Sequence, residues 1–474
     1  MLDLVIRGGR VVTNVGAQKL DIGVKDGVIV VLRASDAQHQ LEAARVVDAD
    51  GRLVVPGGID PHVHTNSPMP NATDGSFSDG PDKVSIAAAH GGTTTMADFA
   101  HWVPGETLEQ TFERKSAEWQ GSSLVDYALH GTFREREIPF DVLDQVPDAV
   151  AAGHTTFKVW MTNTTPDRRW QKTDMGHIWA LMEKTAEASA MLCVHAEDDD
   201  IVMYAYKRLQ HEGRTALKHM PEAHNELSEL LSFQRVITAA KYVGAPIYLM
   251  HVSADLGIQA IRAARAAGQP VYGESLQQYA YFTEQQYSEK HGAIYHTYPS
   301  LKSSKDRDSM WDALVDGTLS TVATDEVCTD LEAKIAGKSI VDTTGGHAGV
   351  EVRMAVAYTE GVEKRGISLQ RYVDITSRDA AKILGCYPQK GEIAVGSDAD
   401  LVLLDTSSPR IITLGDLHET DYTPWEGYEA AAWPTMTVLR GRVLAENGVL
   451  DAAAPGGQLL KRKLSGDVAN RVGA

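Results

Sequence analysis

From about Val55 to about Ile393 the sequence alternates between short apolar runs and longer stretches in which Ala, Leu, Glu and Arg recur at helical spacing. The runs include Thr156-Phe-Lys-Val-Trp-Met, Met191-Leu-Cys-Val-His, Pro246-Ile-Tyr-Leu-Met-His and Leu319-Ser-Thr-Val-Ala-Thr-Asp. The stretches between them include Asp174–Ala190, Glu226–Val243 and Ile258–Ala267. Strands that alternate with helices predict βα units around a parallel sheet covered on its faces. Repeated over residues 56–393, they predict an α/β fold, a (β/α)8 TIM-like barrel with insertions, with a doubly wound sheet as the alternative. No GxGxxG follows a strand and no Walker A loop is present, so a nucleotide role has little support.

The two ends have a different texture. Leu4-Val-Ile-Arg, Arg10-Val-Val-Thr, Gly27-Val-Ile-Val-Val-Leu and Arg45-Val-Val-Asp are β-branched runs punctuated by Gly and Asp. Asp400-Leu-Val-Leu-Leu-Asp, Arg410-Ile-Ile-Thr and Met436-Thr-Val-Leu-Arg-Gly-Arg-Val-Leu repeat the pattern near the C-terminus. An exposed strand edge at either end needs partners, so residues 1–55 and 394–474 are expected to build one small β-sandwich together. With 45 Lys+Arg against 64 Asp+Glu the chain carries a formal charge of −19. A surface this acidic repels phosphate, which argues against nucleic acid or an anionic membrane as partner and suits a protein that holds divalent cations. The three cysteines, Cys193, Cys328 and Cys386, are far apart and form no CxxC. That excludes a disulfide framework and a thiolate zinc site, and it fits a reducing cytoplasm. The N-terminal stretch lacks the basic, apolar, small-residue order of a signal peptide, and no run reaches the ~18 apolar residues of a membrane span.

The chemistry-bearing residues stand on or at the ends of the barrel strands, where a barrel gathers its active site. His62 and His64 form a His-x-His pair after an apolar stretch; side chains on a strand alternate, so both rings point one way and can grip one ion. Alone, such a pair arises readily by chance. Lys158 sits inside an apolar strand, where an unpaired ammonium is costly. It either snorkels from an edge or has reacted with CO2 to give a carbamate, a carboxylate-like ligand able to bridge two metals. His195 and His251 each end an apolar strand, and either alone reads as a satisfied rim or core histidine. Asp325 ends Thr321-Val-Ala-Thr-Asp, where a general base would sit. Taken in order, His-x-His, Lys158 after 94 positions, His195 after 37, His251 after 56 and Asp325 after 74 provide six nitrogen and oxygen donors for a binuclear site.

This order of motifs resembles the amidohydrolase superfamily, and within it the cyclic-amide branch of dihydropyrimidinases and hydantoinases. Pro56-Gly-Gly-Ile-Asp-Pro-His-Val-His, Gly91-Gly-Thr-Thr-Thr-Met-Ala-Asp-Phe, Phe157-Lys-Val-Trp-Met, Val194-His-Ala-Glu, His251-Val-Ser and Val271-Tyr-Gly-Glu carry the likeness. So do Gly396-Ser-Asp-Ala-Asp-Leu-Val, Tyr422-Thr-Pro-Trp-Glu-Gly-Tyr-Glu and Trp433-Pro-Thr-Met-Thr-Val-Leu-Arg-Gly. The resemblance implies two divalent ions per chain, zinc foremost, with manganese or iron as alternatives. His62 and His64 would hold one, His195 and His251 the other, and N-carboxylated Lys158 would bridge them. Asp325 would complete the first site and move the proton from the attacking hydroxide to the leaving nitrogen of a small cyclic amide. It also implies a homo-oligomer, a tetramer or dimer.

Four residues expected to meet the substrate mark where the pattern departs. Asn163 stands where the branch usually has a tyrosine that supports the oxyanion, and loss of such a donor typically costs about 10²–10³ in rate. Glu326 replaces the histidine usual after the aspartate; it either faces the site and favours a substrate with a cationic or donor-rich edge, or turns to solvent or a lysine. Tyr298-Pro-Ser-Leu and Gly345-Gly-His replace the usual Ser-Pro-Pro-Leu and Asn-Gly-Gly segments that read the amide edge. The expectation is therefore a dihydropyrimidinase- or hydantoinase-like hydrolase with an atypical substrate. The alternatives are an allantoinase-like enzyme and a non-catalytic scaffold of the same branch. A dihydroorotase is disfavoured because Asn66 holds the place of its arginine, and a mononuclear deaminase because it has no need of Lys158.

Overall fold

The computed structural model describes residues 1–36, 38–68, 77–167, 172–451 and 456–470. Eight parallel strands form one sheet in sequential order. They are β6 (Gly58–Asp60), β7 (Thr93–His101), β8 (Asp126–Thr132), β9 (Thr156–Trp160), β10 (Met191–His195), β11 (Ile247–Leu249), β12 (Val271–Leu276) and β13 (Thr321–Ala323). The sequential order and the helices between strands make this a (β/α)8 barrel and exclude the doubly wound alternative, whose strand order reverses. Three of the crossover helices are Met175–Glu187, Glu226–Val243 and Asp255–Ala266. The barrel strands are almost wholly buried, as continuous Val, Ile and Leu runs require when both faces are covered.

The ring closes at the carboxyl ends of β6 and β13. His64 N donates to Glu326 O at 2.8 Å, Glu326 N donates to His62 O at 3.3 Å, and Thr324 Oγ1 donates to Asp60 Oδ2 at 2.6 Å. This clasp joins the two residue groups farthest apart along the barrel, His62/His64 and Asp325.

Both ends of the chain contribute to a nine-stranded, mostly antiparallel sheet. From the N-terminal side come β1 (Leu2–Thr13), β2 (Gly16–Lys25), β3 (Val28–Ala34), β4 (Ala43–Asp48) and β5 (Leu53–Pro56). From the C-terminal side come β14 (Leu401–Asp405), β17 (Trp433–Leu439), β18 (Arg442–Glu446) and β19 (Val449–Leu450); β15 (Arg410–Ile411) and β16 (Glu429–Ala430) form a separate ribbon. The long β1 pairs with β4 over its first half and β5 over its second, with an irregularity between Ile6 and Gly9, and the sheet encloses its own apolar core.

The last stretch corrects the expectation for 394–474. Residues 452–455 and 471–474 lie outside the described residues, but 457–470 run beneath the barrel rather than joining the sheet. Tyr127 N donates to Gln458 O and Leu460 N to Tyr127 O, at 2.9 and 2.8 Å. Leu460, Leu464 and Val468 complete the apolar clusters inside the barrel floor. Open strand starts leave apolar side chains at that end, and these three residues cover them.

Candidate active site

His62 and His64 follow β6, Lys158 is within β9, His195 ends β10, His251 follows β11 by two residues, and Asp325 follows β13 by two. His251 and Asp325 have φ of 40° and 51°, the left-handed region that non-glycine residues rarely adopt. Such a residue turns the chain sharply as it leaves the strand, and strain of this kind gathers at functional sites.

The structure brings all six to one cavity of about 100 Å³ at the barrel rim. His62 Nε2, His64 Nε2 and Asp325 Oδ1 form a triangle with edges of 3.2, 3.0 and 3.2 Å. Donors about 2.0–2.2 Å from one ion stand about 3.0–3.4 Å apart, so the triangle has the dimensions of a ligand set. Its charges conflict when it stands alone. Burial pushes both rings toward neutrality, yet the carboxylates of Asp325 and Glu274 hold His62 up at about 9 while His64 falls to about 4. Asp325, despite burial, is held well below the usual carboxylate range by the two histidines. The buried Nδ1 of His64 has no hydrogen-bond partner among the described residues.

A second pair faces the same cavity. His195 Nδ1 and His251 Nε2 are 3.0 Å apart, within hydrogen-bond distance, so the two ring nitrogens meet at one point of the cavity. Lys158 is wholly buried, forms no ion pair among the described residues, and places its Nζ 2.8 Å from Met250 Sδ. Trp160 and Phe99 lie 4.8 and 5.5 Å from that nitrogen by ring centroid. Burial brings its pKa down to about 8.

Buried carboxylates fix the rings from behind. Glu274 Oε1 lies 2.7 Å from His62 Nδ1 and accepts from His251 N at 3.2 Å; its Oε2 accepts from Tyr248 Oη at 2.7 Å. Glu197 bridges His195 Nε2 and His224 Nδ1, each at 2.8 Å. A carboxylate on the outer nitrogen sets the tautomer and turns the other nitrogen to the cavity, the usual backing of a metal-binding imidazole. This donor set, with its orphaned His64 nitrogen and unpaired lysine, fits a pair of divalent ions.

The residues expected to meet the substrate divide. Tyr298 and Gly345 line the cavity. They need each other, because a Cβ on Gly345 would stand 2.3 Å from the Tyr298 ring. Asn163 and Glu326 do not face it. Asn163 Nδ2 donates to Asp199 Oδ1 at 3.0 Å and lines a neighbouring hollow instead. Glu326 is wholly buried, and its Oε2 accepts from Gly349 N and Val350 N at 2.8 and 3.0 Å. Neither solvent nor a lysine meets it; the residue after Asp325 belongs to the clasp that closes the barrel, so its side chain turns outward into protein. Burial and the nearby Glu419 push its carboxyl well above the usual range.

Sequence reasoning missed Arg134, Trp160 and Thr164, which also line the cavity. Arg134 follows β8 by two residues, the rim position that marks the other site residues, but it lies in Arg134-Glu-Arg-Glu, which reads as a solvated loop.

The amidohydrolase family model matches residues 53–444. The chain is 32% identical to a D-hydantoinase of Geobacillus stearothermophilus, with 97% of this chain and 96% of that protein covered. It is also 32% identical to a D-phenylhydantoinase of Escherichia coli O1:K1 / APEC, covering 97% and 98%. The crystal structure of dihydropyrimidinase from Brevibacillus agri NCHU1002 superposes with a TM-score of 0.90 at 31% identity, over 98% of this chain and 99% of that one.

Proposed function

This chain belongs to the amidohydrolase family, in its cyclic-amide branch, and on that premise we propose that it opens a small cyclic amide, imide or ureide by hydrolysing a ring C–N bond with two divalent ions at the barrel rim. The observation that carries the reading is the convergence of two donor groups, His62/His64/Asp325 and His195/His251, on one cavity with the unpaired Lys158. The first group would hold one ion and the second the other, zinc foremost, with N-carboxylated Lys158 shared between them. A lysine whose pKa is brought down to about 8 by burial is present as the free amine, the form that reacts with CO2, far more often than an ordinary lysine. Divalent ions held there would lower the pKa of water and polarise a carbonyl.

The chain's own groups do the rest. Asp325 presents Oδ1 to the two histidines and accepts from Thr297 Oγ1 on Oδ2 at 3.2 Å. So held, it takes the proton of the attacking water and returns it to the leaving ring nitrogen. Tyr298, Gly345 and Thr164 border the space where the amide edge would lie, and Trp160 supplies an apolar wall. The cavity of about 100 Å³ is far below the roughly 300–1,000 Å³ of pockets for drug-sized ligands, which suits a single small ring. With Asn163 tied to Asp199, oxyanion support from that position is absent, and the substrate lies outside the ordinary hydantoin and dihydrouracil set. The complete donor set favours catalysis over a scaffold role. Three buried free thiols support a reducing, cytoplasmic setting, and we expect a dimer or tetramer.

Elemental analysis of protein produced with zinc or manganese should find two ions per chain; well under one per chain overturns the binuclear reading. Lys158→Ala should hold at most one and lose ring opening by about 10²–10³-fold or more. Retention of both ions and full activity would dispose of the carbamate.

A further inference from the structure

Lys334 stands on the short helix Leu331–Ile335, beyond the strand exit that carries Asp325. The helix is anchored at its start, where Asp330 Oδ1 accepts from Ala333 N and Asp421 Oδ1 from Leu331 N, both at 2.8 Å. The lysine is wholly buried, and its Nζ donates to three backbone carbonyls: His296 O at 2.9 Å, Thr344 O at 2.8 Å and Gly346 O. An ammonium has three N–H donors around one nitrogen, and its burial is tolerable when they are met. The three carbonyls belong to the two segments that bring Thr297, Tyr298, Gly345 and Gly346 to the cavity wall. Those segments also meet directly: Tyr298 Oη donates to Thr343 O at 3.1 Å, and the Tyr298 ring fills the place a Cβ on Gly345 would take. Neither His296–Tyr298 nor Thr344–Gly346 lies in a helix or strand, so no ladder fixes their peptide planes. In a planar trans peptide the C=O and the N–H point to opposite sides. Carbonyls drawn onto Lys334 therefore turn the N–H groups of Thr297 and Gly345 away from it.

We propose that Lys334 is a positioning residue: by tying the carbonyls of both segments to one nitrogen, it holds the backbone that faces the substrate ring in one register. It thereby sets affinity for the amide edge without touching the ring or the metal donors. The inference rests on the ring-opening reading and deepens it. A lactam has one carbonyl, the one to be attacked. A cyclic imide has a second, free to accept from backbone N–H groups held in this way, so the frame that Lys334 holds favours imides over lactams.

The test gives succinimide and glutarimide, with their lactam counterparts 2-pyrrolidinone and 2-piperidone, to metal-loaded wild type, Lys334→Met and Lys334→Gln. Turnover and calorimetric binding are measured beside elemental analysis and urea unfolding. Methionine fills the space and donates nothing, whereas glutamine keeps part of the donor set. Lys334→Met should raise KM and Kd for the imides by about 10–100-fold, the loss of one or two neutral hydrogen bonds at about tenfold each. Metal content should be unchanged and kcat should fall far less, because Asp325 stays held by His62 and His64. The preference for imide over lactam in affinity should shrink with it, and Lys334→Gln should lie between. Unchanged KM and preference in Lys334→Met overturn the inference and leave ring hydrolysis standing. A joint loss of kcat and metal, with imides and lactams affected alike, overturns it too, since that is general loosening of the fold. If Lys334→Met does not fold, Lys334→Gln decides on the same readouts. Imides bound but not opened by the wild type, with that binding lost in Lys334→Met, support the Lys334 assignment and count against the hydrolytic reading. If the wild type neither binds nor opens any of these rings, both fall.

Discussion

A carboxylate is a pure acceptor, and Glu197 uses both oxygens as one, holding His195 on one side and His224 on the other. An amide in its place would turn an N–H toward one of two rings that themselves donate. Glu197→Gln should therefore unsettle His195 and lower affinity for one of the two ions by about 10–100-fold, leaving the other close to unchanged. Chelator competition that resolves two binding steps would show this, and equal weakening of both steps would show that Glu197 does not act through His195. The asymmetry follows from the structure, since the His62 side is backed separately by Glu274. At this scale the six metal donors were legible because their chemistry survives without knowledge of packing: imidazoles, a lysine and a carboxylate at strand ends have few other reasons to recur in that order. His224 was not legible. It is not among the described residues that line the cavity, and only the fold brings it to Glu197, 27 positions away in sequence. Asn163 and Glu326 misled for the complementary reason, because a rim position fixes where a backbone passes but not which way its side chain turns.

Between elements, the barrel and the sheet are pinned by a buried cluster. Lys390, in the connection leading to β14, reaches Asp126 at the start of β8 and Asp400 just before β14, at 2.6 and 2.7 Å, with Asp398 at 2.9 Å. Arg440, between β17 and β18, pairs with Asp126 from the other side. Lys390 and Asp126 are almost wholly inaccessible, so removal of the cation strands carboxylates in protein. Lys390→Met should cost about 3–5 kcal/mol in urea unfolding, and adding Asp400→Asn to it should return part of that loss. A cost under about 1 kcal/mol would mean that the cluster relaxes into water instead. The cluster was invisible in the sequence because its members are spread over more than 300 positions. The elements themselves were largely visible, since their periodicity is local: the helix expected over Glu226–Val243 has those bounds. The helix expected from Ile258 begins instead at Asp255, where Asp306 Oδ1 accepts from its first backbone N–H at 2.9 Å. A start signal supplied by a distant carboxylate leaves no trace in the neighbouring residues.

Across the whole molecule the charge of −19 has little to do with the cavity, whose one acidic lining residue among those described is Asp325, so the excess belongs to the rest of the protein and supports solubility. What ties the distant parts together is the barrel floor, where the C-terminal segment inserts Arg462 to donate to Thr156 Oγ1 at 3.0 Å and Leu129 O at 2.5 Å. His154 lies nearby, stacked on Phe112 with ring centroids 3.6 Å apart. Burial, with the Arg462 charge as a lesser cause, lowers its pKa to about 3. An unfolded histidine titrates near 6.5, so between about 3 and 6.5 the unfolded chain holds one more proton than the folded one, and stability rises with pH. The contribution of the neutral ring is fully present above about 6.5 and is lost as pH falls toward about 3, at up to about 1.4 kcal/mol per pH unit. Replacing the ring by an apolar side chain removes the proton and keeps the contact with Phe112. His154→Leu should therefore flatten the acid limb of a plot of stability against pH between about 6 and 4 by about one proton, relative to wild type at the same metal content. Parallel limbs in the two proteins would mean that the floor admits a charged histidine, and that the C-terminal segment opens before the barrel does.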